Sequence, residues 1–204
     1  MMNKTTIPCL LVLLMLSAGC VKLGSEPLDK QFYRLMPERS AETAHVKRDL
    51  ILKVRRLSIS EIYNTRELVY QLDNGRVESD FYNMFFVSPR SMLTTELRSW
   101  LKEADIFASI IEPGSMIIPG LTLEGVVNSL YGDYATSEPV AVVAMQFFLV
   151  DENTPDNTIV FSKDYTQRVP LTEPTPEKLV QGMTTGVQLI FEELEKDLAQ
   201  TPLQ

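Results

Sequence analysis

Apolar residues alternate with polar ones in several segments of the chain, which is the two-residue period of a half-buried β-strand. The run VAVVAMQFFLV is apolar on both faces except at Gln146, a pattern typical of a strand at the centre of a sheet. Asp73-Asn74-Gly75 is a turn signal between two such runs. The pattern predicts a short extended segment over 31–37 and strands over 49–59, 67–72, 78–87, 106–111, 121–134, 140–150 and 158–169.

Two segments instead follow the longer period of an amphipathic helix. Ser88-Pro89 and Thr175-Pro176 each place a capping hydroxyl before a proline, which is typical of a helix start. The apolar stripes that follow are Leu93, Leu97, Trp100, Leu101 and Ala104 in the first helix, and Leu179, Met183, Val187, Ile190, Phe191, Leu194 and Leu198 in the second.

Two glycines four residues apart, Gly182 and Gly186, interrupt the second helix. They indicate either tight packing on a sheet or close approach of a partner's backbone, and we favour the sheet. Together the elements predict an α/β (α+β-like) fold. It has a central mixed, largely antiparallel sheet of about six strands, packed by two amphipathic helices.

The N-terminus reads MMNKTTIPCLLVLLMLSAGC, with one charge, Lys4, before an apolar run that is too short to span a bilayer. Its end, LSAGC, resembles a bacterial lipobox. The resemblance implies cleavage between Gly19 and Cys20, and attachment of diacylglycerol and an N-acyl chain to Cys20. The alternatives are an ordinary signal peptide with an incidental cysteine and a transmembrane anchor.

The chain then divides into a signal peptide (1–19), a lipidated tether (20–30), a single domain (31–200) and a frayed tail (201–204). The full chain of 204 residues has a net charge of −8. Removing the signal peptide, with Lys4, leaves 185 residues of charge −9. Such an acidic balance argues against nucleic acid, because phosphate binding needs a dense basic face.

Little in the sequence indicates catalysis. Cys9 would leave with the signal peptide and Cys20 would carry lipid, so no thiol remains. His45, the only histidine, falls in a charged loop, and we expect it to be solvent-exposed. Acidic residues near the end of the second helix, Glu192, Glu193 and Glu195, are expected on its outer face. We predict no enzyme, no metal site and no cofactor other than the covalent acyl chains.

Several segments carry a resemblance to a known family. They are the lipobox, the aromatic segment Phe32-Tyr33-Arg34-Leu35 after a short tether, the hairpin strand Leu68-Val69-Tyr70, and the two helices. Over roughly residues 20–200 the chain resembles the ABC-type transport auxiliary lipoprotein family, which includes the lipoprotein of the paraquat-inducible MCE system. That family often has Arg-Trp before the first helix, where this chain has Phe85-Phe86.

The resemblance implies a membrane-anchored accessory subunit that docks on an MCE-domain or other ABC transporter subunit in the periplasm. It brings no catalytic residues. By the sorting rule of enterobacterial lipoproteins, Val21 points to the periplasmic face of the outer membrane, with the outer face of the inner membrane as the second choice. The alternative function is a carrier that holds lipid or a small ligand in a pocket between sheet and helices.

Aromatic residues are the candidate partner contacts: Phe32 and Tyr33 beside the tether, and Phe85 and Phe86 before the first helix. Packing in the core and at the sheet edge is the alternative explanation. The densest basic cluster, Lys53-Arg55-Arg56, suits either a solvated edge, which we favour, or contact with anionic headgroups or an acidic partner.

Overall fold

The computed structural model of the protein describes residues 29–39 and 45–203. The predicted signal peptide, its cleavage site and the lipidated Cys20 therefore lie outside the described residues. Within the described ranges, neither helix is long and apolar enough to span a bilayer.

The predicted fold class is confirmed: a large mixed sheet is packed by two helices. The helices are α1 (Pro89–Ala104) and α2 (Pro176–Gln200). The strands are β1 (Gln31–Tyr33), β2 (Arg48–Val54), β3 (Ser58–Ile59), β4 (Glu67–Gln71), β5 (Val77–Phe85), β6 (Phe107–Ile111), β7 (Leu121–Asp133), β8 (Val140–Asp151) and β9 (Thr158–Pro170). The described chain thus has nine strands rather than about six, partly because β1 and β3 are too short to give a clear alternation.

Both helices begin at the predicted caps. The Ser88 hydroxyl accepts a hydrogen bond from the amide of Ser91, and the Thr175 hydroxyl accepts one from the amide of Lys178. Proline follows each cap, where its missing N–H costs nothing. Helix α1 ends at Asp105, whose φ of 51° lies in the left-handed region that stops a helix.

Strand β7 organises the sheet. One edge of β7 pairs along the whole strand with antiparallel β8, and β8 in turn pairs with β9. Its other edge pairs in succession with three parallel strands, at Leu52–Leu121 (β2), Ser58–Val126 (β3) and Tyr70–Gly132 (β4). The sheet therefore divides beyond β7 into two arms, the β2–β6 arm near the start of β7 and the β4–β5–β1 arm near its end.

The helices meet over the sheet, where the rings of Trp100 and Phe191 pack edge to face with 5.7 Å between centroids. Helix α2 lies directly on β8 at its two glycines. A Cβ on Gly182 would stand 2.9 Å from the Cβ of Ala141, and one on Gly186 would stand 2.9 Å from Val143 Cγ2. The structure thus supports tight packing on the sheet, because the glycines let the helix approach it.

Candidate functional site

Four aromatic side chains lie exposed on the β4–β5–β1 arm, and we call them the aromatic surface: Phe32, Phe81, Tyr82 and Phe86. Each is between 49% and 61% exposed. The rings of Phe32 and Phe86 pack edge to face at 6.1 Å, and those of Phe81 and Tyr82 do so at 5.5 Å. The rings hold one another in place while leaving half their area in water, which is typical of a binding surface.

Backbone pairing positions this surface at the edge of the sheet. Strand β1 pairs with β5 in parallel, with Phe32 opposite Met84, and the amide of Phe86 donates to the carbonyl of Tyr33 at 2.9 Å. Because side chains alternate along a strand, the two neighbouring phenylalanines separate. Phe86 faces solvent, whereas Phe85 is only 2% exposed and belongs to the core. Phe85 was expected from the sequence to contact a partner, and the structure shows that it is not part of the aromatic surface.

Tyr33 has a positioning role. Its hydroxyl lies 2.7 Å from Oε1 of Glu177 and 3.0 Å from Oδ1 of Asn83, so it joins β1 to the first turn of α2. Burial and the hydrogen bond to Glu177 raise the pKa of Tyr33 to about 12. The same bond holds the pKa of Glu177 below its ordinary value. Tyr33 is thus a neutral donor that fixes the edge strand, and its ring is only partly accessible.

Cations border the aromatic surface. Lys30 Nζ lies 3.8 Å from the centroid of the Phe81 ring, and the Arg66 guanidinium lies 5.6 Å from that of Phe32. These contacts orient the exposed rings through cation–π attraction, worth about 0.5–1 kcal/mol each at exposed sites. The surface therefore combines apolar area with two neighbouring cations.

A groove of about 380 Å³ continues the surface from Phe86 towards α1. Its walls include Val87 and Met92, and the ion pair of Arg34 with Glu96 crosses its rim at 3.4 Å. An apolar floor beneath a polar rim has the size and character to receive a side chain from a partner.

A buried carboxylate holds the segment after β1 against both helices. Oε2 of Glu195 accepts from Arg39 Nε at 2.8 Å and from Trp100 Nε1 at 2.7 Å, and Oε1 accepts from Arg39 Nη2 at 2.7 Å. His45 Nε2 lies 2.7 Å from the same Oε1. Burial opposes ionisation, but the hydrogen bonds from Arg39, His45 and Trp100 outweigh it and hold the pKa of Glu195 below its ordinary value.

This network corrects two predictions. His45 is not a solvent-exposed loop residue, since its side chain is 11% exposed and contacts Glu195. Glu195 is not on the outer face of α2, since it is 4% exposed. The sequence carried a usable signal for the second point, because Glu195 is four residues from Phe191 and so shares the apolar stripe.

The basic cluster fits a solvated edge. Arg55 Nη1 pairs with Oε1 of Glu124 at 2.5 Å, and both side chains are well exposed. They lie beside a surface cavity of about 230 Å³ that Arg56 and Phe148 also line. Elsewhere within residues 29–39 and 45–203, no group of three or more His, Cys, Asp or Glu is placed to hold a metal ion.

The sequence matches the model of the ABC-type transport auxiliary lipoprotein component over residues 33–195. The chain belongs to this family. The resemblance found in its motifs is thereby confirmed. The family consists of auxiliary lipoproteins of ABC-type transport, which are membrane-anchored envelope proteins, and it is not a known class of enzymes. The comparison with curated proteins gives no match.

Solved structures share the fold. A protein from Xanthomonas campestris superposes with a TM-score of 0.70 at 17% identity, covering 84% of this chain and 93% of that one. An uncharacterised protein gives 0.66 at 12% identity, with 83% and 98% covered. A hypothetical protein from Chlamydia trachomatis gives 0.57 at 8% identity, with 76% and 98% covered. At these identities the likeness concerns the fold alone.

Proposed function

We propose that this chain is a membrane-anchored, non-catalytic accessory lipoprotein of an MCE-type lipid transport system, and that it docks on a transporter subunit in the periplasm. The observation that carries the proposal is the aromatic surface. It is exposed, internally ordered by ring contacts and bordered by cations, and it lies where the chain emerges from the tether. Membership of the auxiliary lipoprotein family supports it.

The anchor is Cys20, which would carry diacylglycerol and an N-acyl chain. Two or more acyl chains give stable attachment, since each buried CH₂ contributes about 0.8 kcal/mol. We assign the attachment to the periplasmic face of the outer membrane, on the identity of Val21. Confinement to a membrane raises the effective concentration of the domain near a partner at the same surface.

The tether keeps the aromatic surface near the bilayer. From Cys20 to Asp29 the extended chain reaches at most about 30 Å. Lys30 already contacts the ring of Phe81, so the tether would begin at the aromatic surface itself. A partner that crosses the periplasm and approaches this membrane would meet the surface close to the headgroups.

Docking would use the rings as anchors and the edge of β1 for backbone pairing. Aromatic residues beside a groove carry much of the binding energy in protein interfaces. A strand added outside β1 would extend the sheet by main-chain hydrogen bonds. The short, three-residue β1 limits such pairing to a few bonds, which leaves specificity to Phe32, Phe86 and the groove.

The test is co-purification from membranes of the native host. With the full-length protein as bait, we expect an MCE-domain or ABC transporter subunit, and we expect its recovery to fall at least tenfold in the double variant Phe32→Ser/Phe86→Ser. Ile159→Ser is the matched control, since Ile159 is a similarly exposed apolar residue on β9, on the other side of β7 from the β4–β5–β1 arm. Recovery of no such subunit with the wild type, or equal recovery with the double variant, would contradict the proposal.

The alternative, carriage of lipid in a pocket between sheet and helices, has little room in the described residues. A cavity of about 250 Å³ between the end of β9 and α2, lined by Val169 and Leu171, is smaller than a typical ligand pocket of about 300–1,000 Å³. Helix α2 touches β8 at Gly182 and Gly186, and the interface is filled by fully buried side chains such as Phe147 and Phe191. We therefore do not propose it.

A further inference from the structure

A second apolar feature lies at the opposite end of the sheet, in the loop between β6 and β7. Residues 112–120 read EPGSMIIPG, and their three central side chains project into water: Met116 is 96% exposed, Ile117 54% and Ile118 89%. Three consecutive apolar residues at a loop tip contribute nothing to the core. An exposed cluster of this kind is typical of a binding surface.

Backbone hydrogen bonds hold both ends of the loop. At its start, the amide of Ser115 donates to the carbonyl of Glu112 at 3.0 Å. At its end, Gly120 donates to the carbonyl of Ile51 at 3.1 Å and accepts from the amide of Glu152 at 3.0 Å. The loop is thus fixed between β2 and the β8–β9 hairpin, which limits the entropy lost when the tip is bound.

Acidic side chains outnumber basic ones around the tip. The neighbouring β8–β9 hairpin carries Asp151, Glu152 and Asp156, and Glu112 begins the loop. Neither 105–122 nor 149–162 contains a lysine or an arginine. Two cations lie near the base of the loop: Arg98 pairs with Glu112 at 3.3 Å, and Lys53 of β2 is in register with Ile111 and Thr122. An anionic bilayer would repel this rim, because membrane-inserting segments carry basic flanks.

Strand topology separates the tip from the tether. The tip precedes Leu121 at the start of β7, whereas the β4–β5–β1 arm joins β7 near Gly132, about 35 Å along the strand at roughly 3.3 Å per residue. Strand β5 runs back from that end, and Lys30 lies against Phe81 within it. Residues 29 and 30, which precede β1, therefore lie at the end of the sheet remote from the loop.

We propose that Met116–Ile118 insert into an apolar cleft with a basic rim on a protein partner, at the end of the domain remote from its anchoring membrane. The assignment of a protein rather than a bilayer rests on the acidic rim. The orientation rests on the proposed function, because it takes Cys20 as the anchor. The domain then presents two contact surfaces, the aromatic surface near the membrane and the apolar tip away from it.

The test uses the full-length protein in its native envelope, with a photo-reactive phenylalanine analogue replacing Ile118. We expect an adduct with a protein, whose crosslinked peptide combines apolar residues with flanking lysine or arginine. The same analogue at Ile62 is the control for exposure alone. A phospholipid adduct at 118, or no adduct, would overturn the proposal.

Two variant pairs separate the contributions of shape and charge. For these variants the photo-reactive analogue is placed at position 117. The yield of the protein adduct should fall at least fivefold in each of two double variants, Met116→Ser/Ile118→Ser and Glu152→Lys/Asp156→Lys. Glu138→Lys/Glu173→Lys, the same change of charge in loops near the other end of β7, should leave it unchanged. Equal yields from both charge variants would overturn the assignment of a basic rim.

The crosslinking experiment can fail independently of the co-purification experiment that tests the proposed function. If wild-type protein recovers a transporter subunit through Phe32 and Phe86 but position 118 crosslinks only to phospholipid, the proposed function stands and the inference about the tip falls.

Discussion

Arg39 binds the buried carboxylate of Glu195 through two nitrogens, with Nε 2.8 Å from Oε2 and Nη2 2.7 Å from Oε1. The bidentate pair joins the segment that follows the edge strand β1 to the last helix of the chain. It therefore couples the position of the aromatic surface to the packing of α2 on the sheet.

Replacing Glu195 by glutamine should be costly. The change removes the charge that compensates the guanidinium of Arg39, whose side chain is only 9% exposed, and breaking such a buried pair costs about 3–5 kcal/mol. We expect a loss of that size in the free energy of unfolding, measured by urea denaturation. Glu193→Gln, an exposed neighbour on the same helix, should change it by less than about 0.5 kcal/mol. Equal effects of the two variants would contradict the role of the network.

The same carboxylate should make stability depend on pH. Because the folded-state pKa of Glu195 lies below its ordinary value of 4.5, the unfolded chain binds the proton more readily. The contribution of Glu195 is therefore present above that ordinary value and is lost as the pH falls through the folded pKa. The difference in unfolding free energy between wild type and Glu195→Gln should shrink as the pH is lowered from 6 to about 3. A difference that is constant over this interval would exclude the linkage.

The adjacent phenylalanines should respond differently to truncation. Phe85→Ala removes a ring from the core and should destabilise the fold by about 3–5 kcal/mol. Phe86→Ala removes a ring that is mostly in water and should cost less than about 1 kcal/mol. Thermal unfolding of the two variants, followed by circular dichroism, measures both. Similar losses would show that Phe86 is a structural residue rather than a contact residue.

Gly182→Ala should destabilise the protein although alanine favours a helix. The added Cβ would lie 2.6 Å from Leu171 Cδ2 and 2.9 Å from the Cβ of Ala141, so α2 would have to move off the sheet. Overpacking of this kind costs about 1–3 kcal/mol, which exceeds the helix gain of up to about 1 kcal/mol. Adding Ala141→Gly should recover part of the loss by freeing that space. A single variant that is more stable than the wild type would refute the close contact.

Cys20→Ser should release the protein from the membrane. The change removes the thiol that would accept diacylglycerol, so incorporation of radiolabelled palmitate and pelleting with membranes should both be lost. Cys9→Ser is the matched control, because the thiol of Cys9 falls within the predicted signal peptide and its removal should alter neither measurement. Labelling that persists in Cys20→Ser would disprove the assigned anchor.

Local patterns predicted most of the elements. The caps at Ser88 and Thr175, the alternation of the strands and the apolar stripes of the helices depend on residues close in sequence, and the structure agrees with them. The division of the sheet beyond β7 was not predictable in this way. It depends on pairs such as Leu52–Leu121 and Tyr70–Gly132, whose partners are far apart in the chain and carry no local signature.

In the candidate site, too, some features could be predicted from the sequence and others could not. Phe32 and Phe86 could be predicted as surface aromatics from their place beside the tether and the helix start. Phe85 could not be separated from Phe86 without the register of β5, since a shift of one residue exchanges the two faces. The bond between His45 and Glu195 joins residues that are 150 positions apart in the chain. The sequence around each residue therefore could not predict that the two side chains meet.

The arrangement around β7 has a consequence for biosynthesis. Strands β2, β3 and β4 hydrogen-bond to a strand that is made only after all of them, so the first half of the chain has no complete sheet to join as it leaves the ribosome. Such non-local pairing makes folding slow. The two arms of the sheet therefore cannot be joined through β7 until the ribosome has added residue 133, although the β4–β5 hairpin can already form by local pairing.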